Sequence, residues 1–121
     1  MKHIMIIEDD EILRQLYKTC LEKLGYRVTE YENGRVAKDE IKDFIPDACV
    51  IDYMMPEMDG ISFLKWFKSC EKYKKIPVIL LTALYEGDVE EYRDEGLVDV
   101  VLRKPASVKK ILSFLTEFIE I

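Results

Sequence analysis

The chain has 121 residues, enough for one compact domain and too few for two, and its 49% hydrophobic and 35% charged residues are the balance of a globular chain. A formal net charge of −6 leaves no excess of Lys and Arg to neutralise phosphates, which argues against direct binding of nucleic acid or an anionic membrane surface. No apolar run is long enough to span a bilayer, and "MKHIMIIEDDE" lacks the long apolar region of a signal peptide, so the expected location is the cytoplasm.

In chain order, "HIMII" (3–7) reads as a short buried strand, after which the period becomes helical. Ile12, Leu16, Cys20 and Leu24 fall four apart with Leu13, Tyr17 and Leu21 beside them, and Gly25 supplies a stop. "YRVTEY" (26–31) alternates as a second strand, "ENG" turns, and Val36, Ala37, Ile41 and Phe44 mark a shorter helix ending before Pro46. "ACVID" (48–52) is the third strand. Phe63, Leu64, Phe67 and Cys70 give the inward face of the third helix, which runs into the basic "KYKK", read as a helix end and solvated loop. "PVILLT" (77–82) is the most continuous apolar strand, as expected where helices cover both faces.

The acidic segment that follows, 87–95, offers only Val89 and Tyr92 as apolar anchors. "VDVVL" (98–102) is the fifth strand, and the last helix has Ser107 as its N-cap and Val108, Ile111, Leu112, Leu115, Phe118 and Ile119 at helical spacing. Cys20, Cys49 and Cys70 are odd in number, without metal-ligand spacing, and read as buried free thiols. Trp66 reads as a partly buried packing residue and His3 as a poor catalytic candidate. Five strands alternating with five helices predict a single α/β domain over 1–121, a doubly wound five-stranded parallel sheet with right-handed crossovers.

In such a sheet the loops at the carboxyl ends of the strands gather on one edge, where ligands bind at a topological switch point. The first strand delivers Glu8, Asp9 and Asp10 to that edge, the third Asp52, the fourth Thr82, and Lys104 lies just past the fifth. Clustered carboxylates suit a hard divalent cation such as Mg²⁺, which would offset their mutual repulsion and leave Asp52 ionised. An ionised carboxylate can attack phosphorus, with a cation (Lys104) and a hydroxyl (Thr82) to stabilise the equatorial oxygens. Each residue alone has a bland account: the acids favour a helix N-terminus and threonine is common in strands. Convergence of all of them on one edge favours the joint functional reading.

The motifs "IIEDDE", "VIDYMMPEMDG", "VILLTA" and "RKPAS", at these separations, resemble the receiver domain of two-component response regulators over essentially the whole chain. Asp52, Met55, Pro56, Asp59 and Gly60 match that family's phosphoacceptor loop. The resemblance implies a flavodoxin-like fold, Glu8 and Asp9 as the metal-binding acidic pair, Asp52 as both phosphoacceptor and ligand, and the Met54 backbone carbonyl as a further Mg²⁺ ligand. Asp10, just after the pair, serves the first helix instead. The resemblance further implies that Thr82 senses the phosphoryl group, that Lys104 pairs with it, and that the Lys104–Pro105 peptide is cis.

The implied phosphodonor is a sensor histidine kinase or phosphotransfer protein. The implied output is a downstream protein target, an output domain of the same protein, or a phosphorylation-dependent homodimer, presented on the face of the fourth helix, fifth strand and fifth helix. The protein is then a switch that catalyses only its own phosphorylation and dephosphorylation, rather than a turnover enzyme. Three features depart from the family: Val101 stands where Tyr or Phe is common, Gly96 to Lys104 is one residue longer, and Ala106 replaces an aromatic. Met54 and Leu84 are apolar at positions flanking the approach of water, and slow phosphoryl hydrolysis is the expectation. The rival classes are an aspartate-nucleophile phosphatase, disfavoured because Met54 stands where a second acid is usual, and a dinucleotide-binding enzyme, disfavoured by "EDDE" in place of a glycine-rich turn. The remaining alternative is a receiver-like interaction module that works without phosphorylation.

Overall fold

A computed structural model describes residues 1–41, 44–83 and 90–119. In chain order the elements are β1 (His3–Ile7), α1 (Glu11–Lys23), β2 (Arg27–Tyr31), α2 (Gly34–Glu40), β3 (Ala48–Asp52), α3 (Gly60–Ser69), a 3-10 turn (Glu71–Tyr73), β4 (Val78–Thr82), α4 (Glu90–Asp94), β5 (Val100–Arg103) and α5 (Val108–Phe118). The five strands form one parallel sheet in the order β2-β1-β3-β4-β5, as the alternation of strands and helices predicts.

The two-residue period of a strand divides the core between the sheet faces. Ile4 and Ile6 of β1 point to one side with Tyr17 and Leu21 of α1 and Ile111 and Leu115 of α5. Met5 and Ile7 point to the other with Ala37 of α2 and Phe63, Leu64 and Phe67 of α3. Every residue of β3 and β4 is buried, which explains why those strands read as continuous apolar runs. Asp10, Asn33, Asp59 and Ser107 cap α1, α2, α3 and α5, each side chain accepting a backbone N–H three residues on.

Three expectations are corrected. The α1 stripe that faces the sheet is Leu13, Tyr17 and Leu21, while Ile12, Leu16 and Leu24 are 84%, 50% and 46% exposed. Two apolar stripes ran side by side in the sequence, and a helix on one sheet face buries only one of them. The basic "KYKK" is not simply a solvated loop: Tyr73 is buried and stacks on Phe67 with ring centroids 4.6 Å apart and an interplanar angle of 10°. Of the three free cysteines only Cys49 is buried, Cys20 and Cys70 being half-buried. Helix α2 ends at Glu40, and beyond it Ile41 is buried and Phe44 packs on the His3 ring at 4.1 Å. Trp66 is half-buried against Phe63, as expected. Leu84 and residues 87–89 lie outside the described residues.

Candidate functional site

Strand order reverses at β1, which pairs with β2 on one side and β3 on the other, so the carboxyl ends of β1 and β3 lie side by side at the switch point. Ile7 sits opposite Ile51, and the next residue of each strand is a carboxylate, Glu8 and Asp52. Glu8 is 1% and Asp52 4% exposed, unusual for acids, whereas Asp9 faces solvent. One carboxylate oxygen from each of Glu8, Asp9 and Asp52 lies within 4.8 Å of the others. Asp10 is not part of this group: its Oδ1 accepts the Leu13 N–H at 3.0 Å as the N-cap of α1.

Lys104 supplies the countercharge. Its Nζ lies 2.9 Å from Glu8 Oε1 and 3.1 Å from Asp52 Oδ1, bridging the ends of β1 and β3 from the loop that follows β5. That loop is anchored by the Lys104 N–H donating to the Thr82 carbonyl at 2.7 Å, and the Lys104–Pro105 peptide is cis. Thr82 ends β4 and is fully buried. The loop after β3 carries Met54, 65% exposed, and returns through Gly60, whose N–H donates to the Tyr53 carbonyl at 2.7 Å. Asp59 caps α3 through Ser62 N–H at 2.7 Å, which gives that motif acid a structural task.

The electrostatics follow from this burial. Glu8 is pushed up to about 8 by burial and then by the adjacent Asp52 carboxyl, against the pull of Lys104. Burial also raises Asp52, partly offset by Glu8 and Lys104. Burial alone would lower Lys104, but its contacts with the two carboxylates outweigh that and raise it. The second oxygen of Glu8, Oε2, is buried with no hydrogen-bond partner. Converging hard oxygens, an orphaned carboxylate oxygen and acids held above their ordinary range are what a hard divalent cation would relieve, so the donor set fits one.

Several contributors were not singled out in the sequence. Arg14 Nη1 donates to the Glu8 carbonyl at 2.8 Å while its Nε sits 3.8 Å from Glu30 Oε1, and Gln15 Nε2 reaches the same oxygen at 2.8 Å. Tyr17 donates its hydroxyl to the Ala106 carbonyl at 3.1 Å. A tyrosine on a buried stripe must place its hydroxyl on some acceptor, and that was the available signal. Tyr53, directly after Asp52, meets Tyr92 of α4 edge-on at 6.3 Å, while Val101 of β5 is buried.

The response regulator receiver domain model matches residues 4–116. Polar-differentiation response regulator DivK of Brucella anthropi is 32% identical over 119 residues, covering 98% of this chain and 96% of that protein. Among solved structures, chemotaxis protein CheY4 of Vibrio cholerae is similar with a TM-score of 0.91 at 24% identity, covering 98% of this chain and 99% of that one. The receiver domain of sensor histidine kinase PA1611 from Pseudomonas aeruginosa PAO1, which has a magnesium ion coordinated in its active site cleft, is similar with a TM-score of 0.85 at 26% identity over 97% of this chain and 96% of that one. Among the described residues no helix is long and apolar enough to cross a membrane. With its matched span, its sheet order and its acidic switch point, the chain belongs to the response regulator receiver domain family.

Proposed function

We propose that the chain is a cytoplasmic signalling switch in which Asp52 accepts a phosphoryl group from a phosphohistidine on a sensor histidine kinase or phosphotransfer protein. The observation that carries this is the Lys104 ammonium poised between Glu8 and Asp52 at the strand-end cluster. Mg²⁺ would be held by Glu8, Asp9, Asp52 and the Met54 carbonyl, and the magnesium ion coordinated in the active site cleft of the PA1611 receiver supports a magnesium site here. When bound, the ion offsets the charge of the carboxylates and of the incoming phosphoryl group.

Asp52 attacks phosphorus through a carboxylate oxygen, forming an O–P bond as the donor's P–N bond breaks and its electron pair returns to the imidazole. Lys104 then exchanges a carboxylate contact for a phosphoryl oxygen, and the Thr82 hydroxyl donates to another. Drawing the buried Thr82 hydroxyl towards the phosphoryl group pulls on the end of β4 and with it α4, and the α4–β5–α5 face presents the change to a protein target, an output domain or a second copy. With Val101 buried in β5, Tyr53 and Tyr92 are the aromatic pair that links the Asp52 loop to α4.

Self-phosphorylation and slow self-dephosphorylation are the only reactions assigned to it. Lys104→Ala should slow uptake from acetyl phosphate with Mg²⁺ at least about tenfold, the loss expected when one preorganised charge-stabilising donor is removed. Rates from quenched-flow mass spectrometry provide the check, and an unchanged rate would remove Lys104 from the mechanism.

A further inference from the structure

We infer that Tyr17 is a positioning residue for Lys104: its hydroxyl holds the loop after β5 against α1 and so keeps the ammonium between Glu8 and Asp52. The consequence for phosphoryl uptake rests on the function proposed above. The consequence for cation binding rests only on the acidic cluster.

Tyr17 is 2% exposed and lies on the inward stripe of α1. Packing alone would be met by phenylalanine, so the hydroxyl's bond to the Ala106 carbonyl at 3.1 Å is the added element, joining residues 89 apart in sequence. Three fixed points hold the loop: the Lys104 N–H on the Thr82 carbonyl at 2.7 Å, Ala106 on Tyr17, and Ser107 Oγ accepting the Lys110 N–H at 3.1 Å. The first holds the lysine's own backbone and the second lies two residues beyond it.

Packing supports the second point only in part, because Ala106 is buried in the same core cluster as Tyr17 but presents a single methyl group. A groove of about 370 Å³ bounded by Asp10, Leu13, Tyr17, Lys104, Pro105 and Ala106 lies beside the loop, and residue 106 offers only a methyl group to fill it. Without the hydroxyl the loop has room to move, and Lys104 moves with it. Tyr17 also belongs to the helix whose Arg14 grips the Glu8 carbonyl at 2.8 Å, so one helix sets both members of the Glu8–Lys104 pair. Burial raises the Tyr17 hydroxyl, and Glu8, Lys104, Asp52 and Asp10 all act on it electrostatically, in keeping with a place at the edge of the site.

Loosening Lys104 has two effects of opposite sign. The ammonium and a divalent cation compete for the same carboxylates, so a displaced lysine lets Mg²⁺ bind more tightly. The same displacement removes a cation from the phosphoryl oxygens and slows transfer. General damage to the fold would weaken both.

The test measures Mg²⁺ affinity by calorimetry and uptake from acetyl phosphate for wild type, Tyr17→Phe, Lys104→Ala and the double variant, below the melting transition of each. Tyr17→Phe should tighten Mg²⁺ about two- to fivefold, in the same direction as Lys104→Ala, and slow uptake about three- to tenfold, the worth of one net hydrogen bond. In the Lys104→Ala background it should add nothing to either. Unchanged or weaker Mg²⁺ binding in Tyr17→Phe, or its full effect persisting without Lys104, overturns the assignment. If the affinity pattern appears but wild type takes up no phosphoryl group, the positioning role stands and the phosphoacceptor function falls.

Discussion

Gly60→Ala is expected to lower the unfolding midpoint by roughly 10 °C, about 3 kcal/mol, and to cut the reactivity of Asp52 more than tenfold even where the protein stays folded. An added Cβ would lie 2.4 Å from the Asp52 carbonyl oxygen and 3.2 Å from both the Asp52 carbonyl carbon and the Tyr53 Cα, all of them backbone atoms that cannot rotate away. The Gly60 N–H simultaneously donates to the Tyr53 carbonyl at 2.7 Å, so the start of α3 and the end of β3 are locked together and relief has to come from moving Asp52 itself. Gly96→Ala is the control. Its φ of +79° costs an alanine about 1–2 kcal/mol of backbone strain, yet nothing lies within 4 Å of the new Cβ, so phosphoryl uptake should be unaffected. Melting curves and uptake rates for the two variants decide the matter; equal effects on uptake would mean that the close approach at Gly60 does not set the position of Asp52.

Glu8→Gln is expected to raise the melting temperature of the metal-free protein at pH 8 by roughly 4–8 °C, about 1–2 kcal/mol, and to abolish most of the stabilisation by Mg²⁺. Glu8 ionises near 8 in the folded chain against an ordinary value of 4.5. Between those values the folded state keeps a proton that the unfolded state has released, so stability from this group is fully present below 4.5 and is lost as pH rises through 8. Wild type without metal should therefore lose stability across that window, Glu8→Gln should lose less, and saturating Mg²⁺ should flatten the wild-type curve by favouring the ionised carboxylate. Thermal scans across the window with and without Mg²⁺ test this, and parallel curves for the two proteins would show that Glu8 is not the strained group. A site that costs stability when empty is the expected signature of carboxylates kept together for a ligand.

The strands β1, β3 and β4 were legible almost to the residue, because buried parallel strands are apolar on both faces and end abruptly in polar residues. The convergence of Glu8, Asp9, Asp52 and Lys104 was legible for a related reason: topology fixes which strand ends share an edge, whatever the helices do. Helix faces were harder. In α1, periodicity alone did not choose between the Ile12/Leu16 stripe and the Tyr17/Leu21 stripe, since that depends on how the helix rolls onto the sheet. Tyr73 was hidden by the lysines on either side of it, which set the local polarity while the ring turned inward onto Phe67. The bonds from Arg14 to Glu8 and from Tyr17 to Ala106 join distant elements through polar side-chain atoms, and no spacing rule reports those.

On the proposed function a protein phosphodonor would need a recognition surface near Asp52, and Ile12 of α1, just beyond the acidic loop, is exposed. Small-molecule donors need no such surface. Acetyl phosphate therefore isolates the chemistry of the strand-end cluster from recognition of a kinase, and it provides the most direct measurement. The protein is incubated with acetyl phosphate and Mg²⁺, its intact mass is followed, and the modified peptide is mapped, with Asp52→Asn and an EDTA-treated sample alongside. One hydroxylamine-labile phosphoryl group is expected on Asp52 in Mg²⁺-loaded wild type and none in either control; uptake at another residue, uptake that survives EDTA, or no uptake from acetyl phosphate or a panel of histidine kinases would rule out Asp52 as a Mg²⁺-dependent phosphoacceptor.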